Sequence, residues 1–187
     1  MDNRPKRVLI AGAPTSAWLN VGDEAILSNM VADLRAAIPN LQISVVSSNP
    51  PGALSAYGVD EVPAQDIEQL IKTAQASDLI ILGGGGIFYD YWGFNTYDLL
   101  TSDHTGHGIF VDMALLATLL DKPLMVYAVG VGPLLPETAK YFNKMVFEDA
   151  NKITVRDSAS KQTMIDLDID EDRIQITADP VFSDQLD

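Results

Sequence analysis

The chain has 187 residues, of which 47% are hydrophobic, and this is enough to bury the core of one domain. Its 26 Asp and Glu residues outnumber 12 Lys and Arg residues, and the net charge of −14 argues against binding to nucleic acid or to an anionic membrane surface. Because the chain has no cysteine, it can form neither disulfides nor a thiolate metal site.

The N-terminal residues lack the pattern of a secretory signal peptide, since they are polar and the apolar run that follows is short. No apolar run approaches the roughly 18 to 20 residues that are needed to cross a bilayer. We therefore expect a cytoplasmic protein with no membrane span.

Strand-like and helix-like segments alternate along the chain. Near-continuous apolar runs predict strands at residues 7–12, 41–47, 78–82, 123–129, 152–155 and 173–177. Helical spacing of apolar residues predicts helices at residues 23–38, 65–76, 109–120, 137–150 and 157–167. This order predicts an α/β fold, a Rossmann-like doubly wound parallel sheet of about six strands. No helix is predicted after the last strand, so we expect residues 1–187 to be the N-terminal domain of a two-domain protein.

The familiar nucleotide-binding motifs are absent from the loops that follow the predicted strands. The first strand leads into GAPTSAWLNVGDE, which lacks the G-x-G-x-x-G spacing of dinucleotide-binding proteins. Neither a Gly-Lys-Ser/Thr phosphate loop nor a G-x-S-x-G nucleophile elbow occurs. In NVGDEAIL, Asp23 is the expected N-cap of the first helix, and the alternative places Asn20 and Gly22 in a ligand-facing loop.

A run of glycines after the third predicted strand is followed by six aromatic residues within ten positions. The glycines fit two hypotheses equally: close packing of a chain that leaves the sheet, or bare backbone amides that a ligand can approach. The aromatics alternate with acids and amides, which favours a sugar-binding surface over a hydrophobic lid or a dimer contact. The substrate-binding candidates of this region are Gly83, Gly84, Gly85, Gly86, Tyr89, Trp92 and Asp98.

Polar candidates lie in two other segments. His104 and His107 are both in DHTGH, where acid/base catalysis is a better hypothesis than metal binding. Arg156 follows the fifth predicted strand in TVRDSAS, at the edge of the sheet where ligands bind. Its guanidinium suits a carboxylate or phosphate ligand, and an ion pair with Asp157 or Asp179 is an equal alternative.

Five motifs, taken together and in order, resemble the polysaccharide pyruvyl transferase family. They are NVGDEAIL, DLIILGGGGIFYD, YAVGVGPL, VRDSAS and ADPVF, and they extend over almost the whole chain. The resemblance implies one half of a two-domain fold like that of the B-type glycosyltransferases. It implies transfer of a pyruvyl group from phosphoenolpyruvate to sugar hydroxyls of a cell-surface polysaccharide, with no cofactor.

The resemblance also assigns roles to residues. Arg156 becomes a cation for the donor, while Asp90, Asp98, His104 and His107 become candidate acid/base groups. Because one arginine is few for a multiply charged donor, we expect this half to hold mainly the acceptor sugar. Two alternatives stay open: a glycosyltransferase that uses a nucleotide sugar, and a non-catalytic sugar-binding or assembly module in which the aromatic segment joins copies of a homo-oligomer.

Overall fold

The computed structural model describes residues 6–12, 21–90, 95–103 and 107–183. Its centre is a parallel sheet whose strands run in the order β3-β2-β1-β4-β5-β6-β7. The strands are β1 (Arg7–Gly12), β2 (Gln42–Ser47), β3 (Asp60–Pro63), β4 (Leu79–Phe88), β5 (Leu124–Val131), β6 (Lys152–Val155) and β7 (Ile174–Ile176). The reversal of strand order beside β1 makes this a doubly wound Rossmann-like sheet, as the sequence predicts.

Helices cover both faces of the sheet. They are α1 (Val21–Ala37), α2 (Ile67–Ala76), α3 (Gly108–Leu119), α4 (Glu137–Asp149) and α5 (Ser158–Asp166). α1 packs on one face and α2 to α5 on the other, which gives two hydrophobic cores. Alternate residues of one strand point into different cores: Val8 and Ile10 face α1, whereas Leu9 and Ala11 face the opposite layer.

The sheet has seven strands rather than about six because β3 is an additional edge strand. Val62 is its only buried residue, so the strand has no apolar run that sequence patterning can detect. The first helix begins at Val21, two residues earlier than expected. Asp23 therefore lies inside the first turn, where its charge complements the helix dipole, and its prediction as N-cap is wrong.

The third predicted strand is longer than the sequence indicates, because β4 continues through all four glycines to Phe88. Gly83 pairs with Gly12 of β1 and with Tyr127 of β5, so the chain does not leave the sheet there. A Cβ atom at Gly12 would lie 1.8 Å from the carbonyl oxygen of Gly83. The first glycines of the run thus serve the close approach of neighbouring strands.

Gly84 is enclosed by the first helix. Its φ of +81° is a conformation that favours glycine, and a Cβ atom there would lie 2.3 Å from Cγ2 of Ile26 and 2.8 Å from Sδ of Met30. Gly85 has a φ of +83° and is also buried. The structure therefore places Gly83, Gly84 and Gly85 in the packed sheet, not on a surface that a ligand reaches.

We predict that Gly84→Ala destabilises the fold by at least about 3 kcal/mol, since it combines positive-φ strain with overlap against two core side chains. Gly52→Ala is a matched control, because Gly52 has a φ of +88° but a Cβ atom added there would have nothing within 4 Å. The control is expected to lose about 1 kcal/mol, from backbone strain alone. Urea unfolding of both variants measures the difference, and equal losses would contradict the packing role of Gly84.

Candidate functional site

A cavity of about 520 Å³ opens at the carboxyl ends of β4, β5 and β6. This is the edge at which open α/β sheets bind their ligands. We call it the carboxyl-edge cavity. Its lining residues come from the ends of the three strands and the first turn of α5: Gly86, Tyr89, Gly130, Val131, Gly132, Arg156, Asp157, Ala159 and Ser160.

Arg156 reaches this cavity because it is the residue directly after β6. Its backbone N–H donates to the carbonyl oxygen of Val129, which fixes the start of the side chain against β5. The guanidinium then lies over two glycines. A Cβ atom at Gly130 would be 2.8 Å from both Nε and Nη2, and one at Gly86 would be 3.4 Å from Nη2. The missing side chains at Gly86 and Gly130 are what make room for the arginine.

Two carboxylates flank the guanidinium of Arg156. Nη1 donates to Oδ2 of Asp179 at 3.1 Å, and Nε lies 3.6 Å from Oδ2 of Asp157. Of the two alternatives for this arginine, the ion pairs are present, and Arg156 also lines the cavity, so its binding of a carboxylate or phosphate ligand stays a prediction. Its Nη2 donates to no partner in the part of the chain that the structure describes, which leaves one edge of the fork for a ligand.

The N-terminus of α5 forms one wall of the cavity. Asp157 is its N-cap and accepts a hydrogen bond from the Ser160 backbone N–H at 2.7 Å. Burial acts to raise the pKa of Asp157, but hydrogen bonds from Ser160, the Arg156 charge and the Ala159 N–H outweigh it and lower the pKa. Asp157 is thus ionised at neutral pH. Ser160 in turn accepts a hydrogen bond at its hydroxyl from the N–H of Val131, at 2.9 Å, which ties α5 to the end of β5.

Tyr89 and Asp90 follow β4 and have different positions. Tyr89 is half-buried and lines the cavity beside Gly86. Asp90 accepts a hydrogen bond at Oδ2 from the N–H of Leu135, at 2.6 Å. This bond joins the segment after β4 to the segment after β5. Asp90 therefore holds together the two segments at the rim of the cavity, although it does not itself line the cavity.

His107 lies in a turn and is buried, with 4% of its surface exposed. It immediately precedes α3 and lies edge-on to Phe88 and Phe110 at centroid distances of 5.7 and 6.3 Å. Its Nδ1 is 3.2 Å from the carbonyl oxygen of Tyr89. Since a carbonyl oxygen only accepts, Nδ1 carries the proton of the neutral ring. The ring supports the backbone of Tyr89 from behind the cavity.

Two further predicted residues that the structure describes, Gly22 and Asp98, do not line the cavity. Gly22 is exposed in the first turn of α1. Asp98 ends the short 3-10 helix Thr96–Asp98 and accepts a hydrogen bond from Nδ2 of Asn95 at 2.9 Å. Three predicted residues lie outside the described part of the chain: Asn20, Trp92 and His104.

The three described aromatics of the aromatic segment do not share one surface. Phe88 is fully buried in the core, Tyr89 lines the cavity, and Tyr97 is 90% exposed. Residues 91–94 are not described. The contrast between Phe88 and Tyr89 follows from the end of β4, where successive side chains still point to opposite faces.

Gly130 and Asp179 lie beside Arg156, but the sequence around each of them does not mark it as a site residue. Gly130 precedes Val131 at the end of β5, and the one feature that could have identified it is its small size at the carboxyl edge of the sheet. Asp179 lies in ADPVF, which follows β7, and its only signal is that of an ion-pair partner for Arg156. Their importance depends on which strands are neighbours, and the strand order is not visible in a linear motif.

No group of three or more His, Asp or Glu side chains in the described ranges is placed to hold a metal ion. Among the same residues, no helix is both long and apolar enough to span a membrane.

A family model for polysaccharide pyruvyl transferases matches residues 20–187 of the chain. The chain belongs to the polysaccharide pyruvyl transferase family. The match includes the residues of the carboxyl-edge cavity, and it agrees with the resemblance carried by the five sequence motifs. A search of curated proteins found no significant match.

Solved structures similar to this pyruvyl transferase family member have the fold of B-type glycosyltransferases and epimerases. HepE of Anabaena in complex with UDP has 12% identity and a TM-score of 0.61, with 93% of this chain and 44% of HepE covered. UDP-GlcNAc 2-epimerase from Methanocaldococcus jannaschii has 10% identity and a TM-score of 0.59, with coverage of 94% and 46%. The enzyme of that name from Neisseria meningitidis has 12% identity and a TM-score of 0.54, with coverage of 94% and 47%. The chain thus spans less than half the length of these proteins.

We predict that His107 makes stability depend on pH. Burial, the main cause, lowers its pKa below the ordinary 6.5, although the hydrogen bond to Tyr89, the nearby side chain of Asn143 and the charge of Asp90 oppose the shift. A lowered folded pKa contributes stability that is complete above pH 6.5 and is lost as pH falls from there toward the folded pKa. His107→Asn keeps an N–H donor near Tyr89 and removes the titration.

Unfolding free energies of the wild type and His107→Asn, measured between about pH 5 and pH 8, test this prediction. The wild type should lose more stability than the variant on acidification. His104→Gln, which removes the other histidine of the chain, shows what the loss of a different imidazole does to the same profile. Parallel profiles for the wild type and His107→Asn would contradict the assignment of a neutral buried imidazole.

Proposed function

We propose that the protein acts as a pyruvyl transferase that moves a pyruvyl group from phosphoenolpyruvate to two hydroxyls of a cell-surface glycan, as a ketal. The observation that carries this proposal is Arg156, which is held over Gly86 and Gly130 at the carboxyl-edge cavity with one edge of its fork open. Membership of the pyruvyl transferase family supports it. The proposal is for a two-domain protein in which this chain forms one Rossmann-like domain.

The reaction makes definite chemical demands. A proton adds to the methylene carbon of phosphoenolpyruvate, and a sugar hydroxyl oxygen bonds to the neighbouring carbon as positive charge develops there. The C–O bond to phosphate then breaks, and a second hydroxyl oxygen closes the ketal. Of the two hydroxyl protons, one balances the proton gained by the methyl group and the other leaves with phosphate. The site needs a general acid, a base and cations for the donor.

In this proposal, Arg156 binds the carboxylate or phosphate of phosphoenolpyruvate. A planar guanidinium offers paired N–H donors to either group, and its charge is permanent. The start of α5 forms the adjoining wall, with Ala159 and Ser160 in its first turn. Its dipole favours an anion there, although Asp157 already occupies the cap. The two features together favour an anionic ligand at this end of the cavity.

One arginine does not balance the charge of the donor. Among the residues that line the cavity, Arg156 is the only cation, and the whole chain has a net charge of −14. We propose that a second domain closes over the carboxyl edge and supplies further cations. The neutral side of the cavity, with Tyr89 and the backbone of Gly86, then remains for the hydroxyl-rich acceptor.

The acid/base roles fall to residues other than His107. The imidazole of His107 is buried behind Tyr89 and has no route to the substrate. We therefore propose that His107 supports the backbone of Tyr89. Asp90 is held at the rim by the Leu135 N–H, and Asp98 and His104 stay candidates from the sequence. A group in the second domain is the remaining source of the proton for the methylene carbon.

The assay is phosphate release by the full-length protein from phosphoenolpyruvate, with a panel of galactose- and mannosamine-containing acceptors. We predict that Arg156→Ala lowers kcat/KM for phosphoenolpyruvate by about 100-fold or more, because a charged contact to the donor is lost. Arg35→Ala is the matched control. Its guanidinium binds the carbonyl oxygens of Tyr57 and Gly58, and it does not line the cavity.

Arg35→Ala is expected to keep kcat/KM within about 3-fold of the wild type, since surface contacts contribute to stability rather than to turnover. Full activity of Arg156→Ala would remove this arginine from the site. If the wild type releases no phosphate with any acceptor but binds a nucleoside diphosphate saturably, a nucleotide-sugar glycosyltransferase replaces the pyruvyl transferase. If neither ligand binds and the protein associates with itself, the assembly module is the better hypothesis.

A further inference from the structure

We infer that Asp179 is a positioning residue that holds Arg156 in its donor-binding orientation. The inference rests on the proposed function, in which Arg156 contacts the substrate. Asp179 does not line the cavity, and its effect passes through the arginine. That effect depends on the partners of its two carboxylate oxygens.

Both oxygens of Asp179 have fixed partners. Oδ1 accepts a hydrogen bond from the N–H of Val181 at 3.1 Å, which ties the carboxylate to its own turn. Oδ2 accepts from Nη1 of Arg156 at 3.1 Å. The side chain is 16% exposed, so solvent competes weakly for either bond. The carboxylate is therefore a fixed acceptor, and the arginine must orient toward it.

The other carboxylate near Arg156 is a weaker anchor. Asp157 is 46% exposed and stands 3.6 Å from Nε, a distance too long for a hydrogen bond. Its Oδ1 already accepts from the Ser160 N–H as the cap of α5. An exposed pair at this separation contributes little to orientation. Of the two carboxylates, Asp179 therefore determines the plane of the guanidinium.

The backbone that carries Asp179 is anchored independently of the arginine. Residues 177–183 lead from the end of β7 toward α1, where Nδ2 of Asn29 donates to the carbonyl oxygens of Pro180 and Val181 at 2.9 and 3.2 Å. Asn29 is buried, and Val181 packs against the core beneath α1. The dependence thus runs in one direction: α1 holds the segment, and the segment holds the arginine.

An arginine that is fixed before the ligand arrives loses less rotamer entropy when it binds. Nη1 is committed to Asp179, Nη2 lies over Gly86 and Gly130, and the open edge of the fork is directed to one part of the cavity. Without Asp179 the side chain has other rotamers available in a cavity of about 520 Å³. Loss of the carboxylate should therefore reduce productive binding more than it reduces stability.

The test uses Asp179→Asn in the full-length protein, because asparagine keeps the size of the side chain and an oxygen for the Val181 N–H. We expect kcat/KM for phosphoenolpyruvate to fall by roughly 10-fold or more. The double variant Arg156→Ala/Asp179→Asn should be no slower than Arg156→Ala alone, since Asp179 acts only through the arginine. Additive losses in the double variant would overturn the inference.

Asp168→Asn is the matched control. Asp168 also forms an ion pair, with Lys144 at 2.9 Å, but it is 87% exposed and lies outside the cavity. Its φ of +63° is one that asparagine tolerates. This variant is expected to match the wild type in kcat/KM. A loss equal to that of Asp179→Asn would show that removal of any paired aspartate has the same effect, and would overturn the inference.

A second measurement needs no substrate. Phenylglyoxal reacts with free guanidinium groups, and peptide mass spectrometry reports the labelling rate at Arg156 in the intact protein. Asp179→Asn should label Arg156 several-fold faster than the wild type and Asp168→Asn. Equal rates would overturn the positioning role. Faster labelling in a protein that releases no phosphate would instead support the role of Asp179 and reject the proposed function, so the two failures are distinguishable.

Discussion

The close approach of backbones at the middle of the sheet is the constraint on which the site depends. Gly12 meets Gly83 across β1 and β4, and a methyl group at either position would overlap a neighbouring backbone oxygen. Gly84 allows α1 to pack directly on β4. Because these contacts fix the spacing of β1, β4 and β5, they also fix where the carboxyl ends of those strands lie. The cavity is built on that spacing.

The same absence of side chains continues outward along β4 and β5, but there it makes room for a charged side chain. Gly86 and Gly130 pair across the two strands, and the guanidinium of Arg156 occupies the space above them. A cation is thus held against bare backbone in a chain with a net charge of −14. Asp157 and Asp179 offset the cost of removing the Arg156 charge from water, since a partly buried charge is stable only with partners. Within one strand, glycine thus allows close backbone packing at Gly83 and Gly84 and the placement of Arg156 at Gly86.

Much of the fold can be predicted from the sequence because buried parallel strands have a strong local signature. β1 and β6 have the predicted bounds, and every predicted helix is present within a few residues. The edge strand β3 escapes prediction since only Val62 is buried, and the end of β4 is placed too early since glycine is usually a strand breaker. In both cases, packing against residues that are distant in sequence overrides local propensity, and a short stretch of sequence carries no information about that packing.

The candidate site is less predictable than the fold, for reasons that differ by residue. Arg156 can be found because its position after a strand is a local property. His107 has the same local appearance as a catalytic loop histidine, but Phe88 and Phe110 surround it in the fold. Asp179 is separated from Arg156 by 23 positions and meets it only because β7 pairs with β6. The sequence shows which chemical groups are available, and the strand order decides which of them meet.

The geometry bears on which parts of the donor and acceptor this domain would hold in the proposed function. If all four glycines formed an open floor, this domain would present a broad neutral surface suited to a sugar. Instead, only Gly86 of the run lines the cavity, and it lies beside the guanidinium of Arg156 and the ring of Tyr89. A cation and a tyrosine that share one cavity bring an anionic group and a hydroxyl-bearing ring within reach of each other. We propose on this ground that the domain holds parts of both the donor and the acceptor, and that further cations balance the charge that one arginine leaves unbalanced.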